Sequence, residues 1–564
     1  MNRLAEKIRT AFIRLDDRKL RILFYTFWLT LNLIQALFTN LLYDEAYYWV
    51  ISGEPDWGHF YSPPLIDLLI RAGYRLFHNE LGVRLFFVLL GTSGIWLTEK
   101  LLVVKDLKLY YALLLSMVFF QVTGIIAAPD IPLFFLSTTF YLLFRRFLRQ
   151  PGWINSLLLA LNTSLLLFTK YHGILLIGFT FIWNIPYLVR QRQTIVWVVF
   201  SILLFFPHIL WQIRNGFPTL VFHLFERPGG GLFEWKNILD YIPGQLLFAG
   251  PLISIPLFLS LIRLKRENRM EQTMFFNLLA MYGFFFLVSL TNHVEINWTV
   301  IGIVPLVVLS QKALSEQEKL RKWIFRLLPY SLLLALIFRI LLIFPHLVPG
   351  SRLDEELYGY HNWAEQIKEE ASGRPVVFME RYQRTSAYAF YSGDSLTYTL
   401  NPTQKSDFDL MDMEERIQGK TVLFVSRYHI TGDMDTLLTK KGTWYTKEIP
   451  NFRSYKKFRF EITGLGDLSS DTLSLFLHPV NPAGTRISFA ENSEMPAQIG
   501  YRLYQNGSLV FENANLIAAT LLAGGGKLEL PLQGAEPGEY EVQIILKSGW
   551  LPAYPVSRLF HFLH

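Results

Sequence analysis

Asp44 and Glu45 stand side by side at the end of the first long apolar run, in LLYDEAYYWVISGEPDWGHFYSPPL, and Asp130 follows Ala127-Ala128-Pro129 between two later runs. A carboxylate at the border of hydrocarbon is costly unless it has a partner or a task. Basic groups recur at similar places. Arg84 opens the second apolar run, Lys170-Tyr171-His172 interrupts another, Arg214, His223 and Arg227 lie in 213–240, and His293 precedes Glu295-Ile296-Asn297-Trp298. Each has a plain reading: an interfacial acid solvated by headgroup water, or a lysine that snorkels or pairs with an acid. Together they fit one kind of chemistry. A carboxylate takes a proton from a hydroxyl while cations stabilise a departing phosphate. Asp44 and Asp130 are the candidate catalytic acids; Glu45, Arg84, Lys170, Tyr171, His172, His223 and Arg227 are candidate substrate contacts.

Such residues need helix ends to hold them. Apolar runs able to span, or nearly span, a hydrocarbon core of about 30 Å occur at 22–42, 82–99, 109–128, 131–147, 154–169, 172–189, 194–212, 241–262, 273–291, 298–311 and 324–347. The pair around Lys170 is short enough to be one broken helix. Residues 60–78 carry too much charge to span and read as an interfacial helix started by Pro63-Pro64. With 51% hydrophobic residues and 16% aromatics, the chain is neither disordered nor fibrous; it is a polytopic α-helical membrane protein.

Its formal net charge of +7 is no argument for nucleic acid, because the basic residues cluster in short loops between apolar runs. With the N-terminus inside, the inner segments hold 24 Lys and Arg and the outer ones six. That asymmetry fixes the expected topology: a multi-pass protein of the cytoplasmic membrane, N-terminus inside, with everything after about Pro349 outside. The basic residues 1–21 lack a following small-residue cleavage site and read as a retained amphipathic segment. The absence of cysteine excludes a disulfide framework, a thiolate nucleophile and a Cys-bound zinc.

The expected organisation is 1–21 as that basic segment, 22–348 as the membrane domain, 349–455 as a small α/β unit and 456–564 as a β-rich, sandwich-like domain. HNWAEQIKEEASG (361–373) is helical in pattern, and PVVFME and TVLFVSRY are strand-like. From FRFEI through LSLFLH, RISFA, IGYRLY, SLVFE, GKLELPL and EYEVQIIL, apolar residues alternate as in a half-buried sheet, and Asn506-Gly507 marks a hairpin.

Acids and cations at an outer membrane face suit a lipid-phosphate sugar, which presents its sugar at the water boundary and its phosphate at headgroup depth. This chemistry needs no nucleotide fold, and no glycine-rich phosphate loop joins a strand to a helix; Gly229-Gly230-Gly231 and Gly524-Gly525-Gly526 sit elsewhere.

The run YDEAYYW with DWGHFYSPPLIDLLIRAGYRLF and LGVRL resembles the first outer loop of GT-C membrane glycosyltransferases of the protein-mannosyltransferase type, glycosyltransferase family 39. AAPDIPLFFLSTTFYLL, FTKYHGILLI, NGFPTLVFHLFER and EINWTVIGIVPL resemble later blocks in the same order, covering about 20–310. The resemblance implies inverting transfer of a sugar from a polyprenyl-phosphate donor to a lipid, protein or glycan acceptor, with Asp44 as principal acid, Asp130 as second acid, and Lys170 and His172 in the family's KYH block. Ser62 stands where that family carries a histidine before the paired prolines. No cofactor is expected, and a divalent metal is left open. The rival is a lipid or glycan transporter without chemistry, since polar residues within spans also mark transport paths.

Overall fold

Asp16 accepts a hydrogen bond from the backbone N–H of Lys19, and from that cap α1 (Asp17–Phe38) runs for 22 residues, or about 33 Å. The computed structural model describes residues 16–122, 124–222, 233–401, 404–469, 472–480, 489, 495–532 and 537–564. Arg18, Lys19 and Arg21, expected in a surface segment, belong to this first helix. The next elements are α2 (Tyr43–Ser52), α3 (Leu65–Tyr74), α4 (Glu80–Glu99), α5 (Leu107–Ser116) and α6 (Val118–Val122). They are followed by α7 (Asp130–Arg149), α8 (Trp153–Thr169), α9 (Gly173–Leu188) and α10 (Gln193–Arg214). The unit is completed by α11 (Trp235–Ala249), α12 (Ser254–Ile262), α13 (Arg269–Ser289), α14 (Ile303–Glu316), α15 (Glu318–Ile343) and the short α16 (Arg352–Leu357).

The apolar runs found in the sequence fall largely on helix, three of them on the shorter helices α5, α8 and α9. Among the described residues seven helices are long and apolar enough to cross a membrane, and an eighth crossing results if α11 and α12 form one span. α3 begins directly after Pro64, as the paired prolines predict. Two runs read as continuous are broken. Residues 109–128 divide at Met117 between α5 and α6, and 241–262 bends by 92° between α11 and α12. The bend has a local cause: Gly250 has φ +119°, and a Cβ there would lie 2.7 Å from the Ser116 carbonyl. Only glycine tolerates both.

Helices in lipid gain little from hydrophobicity alone and associate through close packing and buried hydrogen bonds. Phe24 stacks on Tyr111 at 3.9 Å within the main core. A polar seam links α7, α9 and α13: Asn277 donates to the Tyr141 and Thr180 hydroxyls, and Asn184 donates to Thr273.

The chain divides between Tyr358 and Gly359 into two units, so residues 349–358 go with the membrane helices. In the second unit a mixed sheet has the order β2-β1-β3-β5-β4, with β1 (Val376–Met379) parallel to β2 (Thr397–Thr399) and β3 (Val422–Ser426), and β4 (Asp435–Thr439) and β5 (Gly442–Ile449) antiparallel. Helices Tyr360–Ala371 and Tyr382–Ser392 accompany it.

Two further sheets follow. One comprises β6 (Phe460–Ser469), β7 (Thr472–Pro479) and β10 (Gly526–Pro531); the other β8 (Ala497–Gln505), β9 (Ser508–Ala518), β11 (Glu539–Ser548), β12 (Tyr554–Pro555) and β13 (Phe560–Leu563). Leu473, Leu475, Leu477, Leu528 and Leu530 of the first share a core with Ile499, Tyr501, Leu503, Val542 and Ile544 of the second. Alternate residues of each strand thus face inward, as in a sandwich. Asn506 and Gly507 both have positive φ, the backbone of a tight hairpin turn. Most of RISFA lies outside the described residues.

Candidate functional site

The last carbonyls of α1 have no partner within the helix, and Arg84 of α4 supplies one. Its guanidinium donates to the carbonyls of Ala36 (3.1 Å), Thr39 and Asn40 (2.8 Å) and grips Glu45 through Nε and Nη2 at 2.7 and 2.5 Å. Glu45, in the first turn of α2, also accepts from the backbone N–H groups of Leu42 (2.9 Å) and Ala127 (2.6 Å). Both side chains are essentially fully buried. This clasp joins the end of α1, the start of α2, α4 and the segment before α7. Arg84 and Glu45, expected as substrate contacts, are here bound to each other, and all five N–H donors of Arg84 are engaged within the protein.

Asp44 is one residue away and differently placed. It lies in the same first turn but is exposed, because successive helical residues point about 100° apart. It therefore remains a carboxylate at the surface of that end of the unit.

Asp130 opens α7. Its Oδ1 accepts from Lys170 Nζ at 2.8 Å and its Oδ2 from the Asn297 amide at 2.7 Å, with side chains of Lys170 and Asp130 19% and 11% exposed. Three elements meet there: the start of α7, the junction of α8 with α9, and the 3-10 segment Ile296–Gly302 that precedes α14. Lys170 thus has the plain reading of an acid's ion partner, with an edge still open to solvent. Asn297 was not singled out in the sequence, although it lies in the quoted EINWTV block.

Tyr171 and His172 turn in opposite directions. The Tyr171 hydroxyl bonds His208 Nε2 at 2.7 Å and receives the Gln212 amide at 3.0 Å. His208 Nδ1 lies 2.7 Å from the Trp57 carbonyl; a carbonyl only accepts, so Nδ1 carries the proton and Nε2 accepts from Tyr171. His172 stacks on Phe285 and lies against Trp298, with ring centres 5.6 and 5.5 Å away. His223 and Arg227 lie outside the described residues.

The loop from Gly53 to Pro64 is held from beneath by α10. Trp211 Nε1 donates to Asp56 at 2.6 Å, and Gln212 donates to Thr219, whose hydroxyl donates to the His59 carbonyl at 2.9 Å. A Cβ on Gly58 would come within 2.4 Å of the Trp211 ring, so glycine permits this contact. His59 Nε2 donates to Asp67 at 3.0 Å, both side chains buried. His59 is a brace within the loop, and Trp57, 54% exposed, is presented at its tip. His208, Trp211 and Asp67 went unnoticed in the sequence, since each acts through a partner remote in the chain. Among the described residues, no group of three or more His, Asp or Glu side chains could hold a metal ion.

No protein-family model matches the chain, and no curated protein sequence matches it. Solved structures do. ArnT from Cupriavidus metallidurans in the apo state is similar with a TM-score of 0.57 at 15% identity, over 76% of this chain and 98% of that one. The same protein bound to undecaprenyl phosphate gives a TM-score of 0.58 at 15% identity, over the same shares. The fold is therefore the GT-C fold, that of a polytopic helical membrane protein with a C-terminal sheet-containing region.

Proposed function

We propose that this chain is a membrane glycosyltransferase that moves a sugar from a polyprenyl-phosphate donor to an acceptor hydroxyl at the outer membrane face, with inversion and with Asp44 as general base. The observation that carries the proposal is the contrast between two adjacent carboxylates: Glu45 is consumed by the Arg84 clasp, whereas Asp44 is presented at the surface. The GT-C fold supports it, as does the ArnT structure that contains undecaprenyl phosphate.

In this mechanism Asp44 accepts the acceptor's proton as its oxygen attacks the anomeric carbon from the face opposite the phosphate. The bond from that carbon to the phosphate oxygen breaks, and its electron pair leaves with the lipid phosphate. Negative charge grows on that phosphate, so cations near it contribute most in the transition state. Lys170, held by Asp130 with an edge exposed, and Arg227 are the cations assigned to it. Asp130 acts as the supporting acid that positions Lys170.

The test is incubation of membranes containing the protein with radiolabelled polyprenyl-phosphate sugars, followed by extraction of the labelled product. Label should pass to an acceptor, and Asp44→Asn should lose on the order of 10²–10⁴ in rate while protein level and donor binding stay close to wild type. Movement of intact donor across the membrane without transfer would favour a transporter, and near-normal turnover of the Asn variant would remove Asp44 as base.

A further inference from the structure

Among the described residues of the membrane unit, Trp57 is the one exposed tryptophan that stands on a loop. Trp96, Trp153, Trp183, Trp235 and Trp323 are exposed too, but they stand on α4, α8, α9, α11 and α15, where the ring follows the helix surface. A tryptophan of an interfacial belt needs only its ring at headgroup depth. It has no need of a fixed main chain, and that of Trp57 is fixed on both sides.

The fixing groups come from α10. Buried His208 donates from Nδ1 to the Trp57 carbonyl at 2.7 Å, and Trp211 donates to Asp56 Oδ2 at 2.6 Å while the Trp57 N–H donates to Asp56 Oδ1 at 2.7 Å. Gly58 closes against the Trp211 ring. Three consecutive loop residues are thus tied down, yet the indole between them is left 54% exposed. Its ring lies against Phe168, with centres 6.2 Å apart, and among the described residues its N–H meets no acceptor. Ordering a loop costs conformational entropy. A ring that is already held spares a ligand that cost when it binds.

The same contacts set Trp57 beside the cation assigned to the donor phosphate. Phe168 is two residues before Lys170. His208 holds the Trp57 carbonyl with Nδ1 and, with Nε2, the hydroxyl of Tyr171, the residue after Lys170. The group joined to that phosphate is a sugar, whose ring has an apolar C–H face and a rim of hydroxyls. An indole matches both, with a broad apolar face and one N–H donor. We propose that Trp57 is a specificity-determining residue that packs on the ring of the donor's sugar, and that His208 is the positioning residue that presents it. The proposal rests on the reading of Lys170 as the cation of a lipid-phosphate sugar.

The experiment measures equilibrium binding of two radiolabelled lipids, a polyprenyl-phosphate sugar and bare polyprenyl phosphate, to the purified full-length protein. Trp57→Ala should weaken the sugar-bearing lipid about tenfold, the scale of one aromatic contact, and leave the bare lipid within about twofold. Trp57→Tyr should keep most of the affinity. His208→Ala should copy Trp57→Ala, whereas His208→Asn, whose amide still donates toward the Trp57 carbonyl, should restore most of it. In turnover, KM for the donor should rise more than kcat falls, because the contact is present in ground and transition states alike. Equal losses for both lipids, or no loss for either, overturn the proposal even if sugar transfer by the wild type is observed. Selective loss of the sugar-bearing lipid, with no transfer from any such donor by the wild type, keeps Trp57 as a sugar contact and removes the glycosyltransferase reading instead.

Discussion

Lys170 and Asp130 meet at 2.8 Å, and Asn297 completes the carboxylate's hydrogen bonds. Removing the cation strands a mostly buried negative charge, which costs more than the pair contributes. Lys170→Met is therefore expected to lose about 1–3 kcal/mol of stability, read as a lower unfolding temperature in detergent, and adding Asp130→Asn should recover part of it. The exchange Asp130→Lys with Lys170→Asp restores the pair but puts an acid where the proposed mechanism assigns a cation to the departing phosphate. Stability should return and turnover should not; recovered turnover in the exchanged protein would leave Lys170 as scaffold. The sequence made these residues visible because a charge at the end of an apolar run is conspicuous. It gave Asp44 and Glu45 different roles but could not show that Glu45 is held inside, since that depends on helical phase and on Arg84, which is 39 residues from Glu45.

Helix ends, more than helix interiors, decide what this end of the unit can do. The carbonyls that finish α1, the Leu42 N–H just before α2 and the Ala127 N–H converge on one Arg84–Glu45 pair. Arginine supplies five donors in a planar fork, whereas lysine supplies three from a point. Arg84→Lys keeps the charge but leaves carbonyls or carboxylate unsatisfied in a closed interior, and a loss of about 3–5 kcal/mol is expected. The measurement is the amount of folded protein after solubilisation; wild-type yield and unfolding temperature would show that the clasp does not hold these elements. The helices themselves were legible from apolar length alone. The breaks were not: the turn at Gly250 needs a left-handed residue against the Ser116 carbonyl, and FAGPLIS, read alone, continues an apolar run. α2 was equally hidden, because YDEAYYWVIS is too short and polar to register as a span.

Charge divides the two ends of the helical unit. At one end lie Asp44, the Arg84–Glu45 clasp and the Asp130–Lys170 pair; at the other, Arg21 pairs with Glu99, Arg321 with Asp106, and Lys312 with Glu267 and Glu271. The second end carries most of the lysine and arginine of the short loops, and orientation follows those residues with little regard to neighbouring acids. We therefore expect a reporter fused after Gly350 to be exported and one placed within 263–268 to stay in the cytoplasm. The first fusion is informative without counting crossings, because the Tyr43 hydroxyl bonds the Glu355 carbonyl and the Asn40 amide bonds the Leu357 carbonyl. Whatever side residue 350 occupies is the side on which Asp44 lies. The second fusion is its control: Lys312 reaches the Lys265 carbonyl and Glu267, so that loop reports the opposite end through the length of α13. Cytoplasmic activity after Gly350 together with export at 263–268 would turn the molecule over, place Asp44 on the inner face and exclude a donor presented from outside.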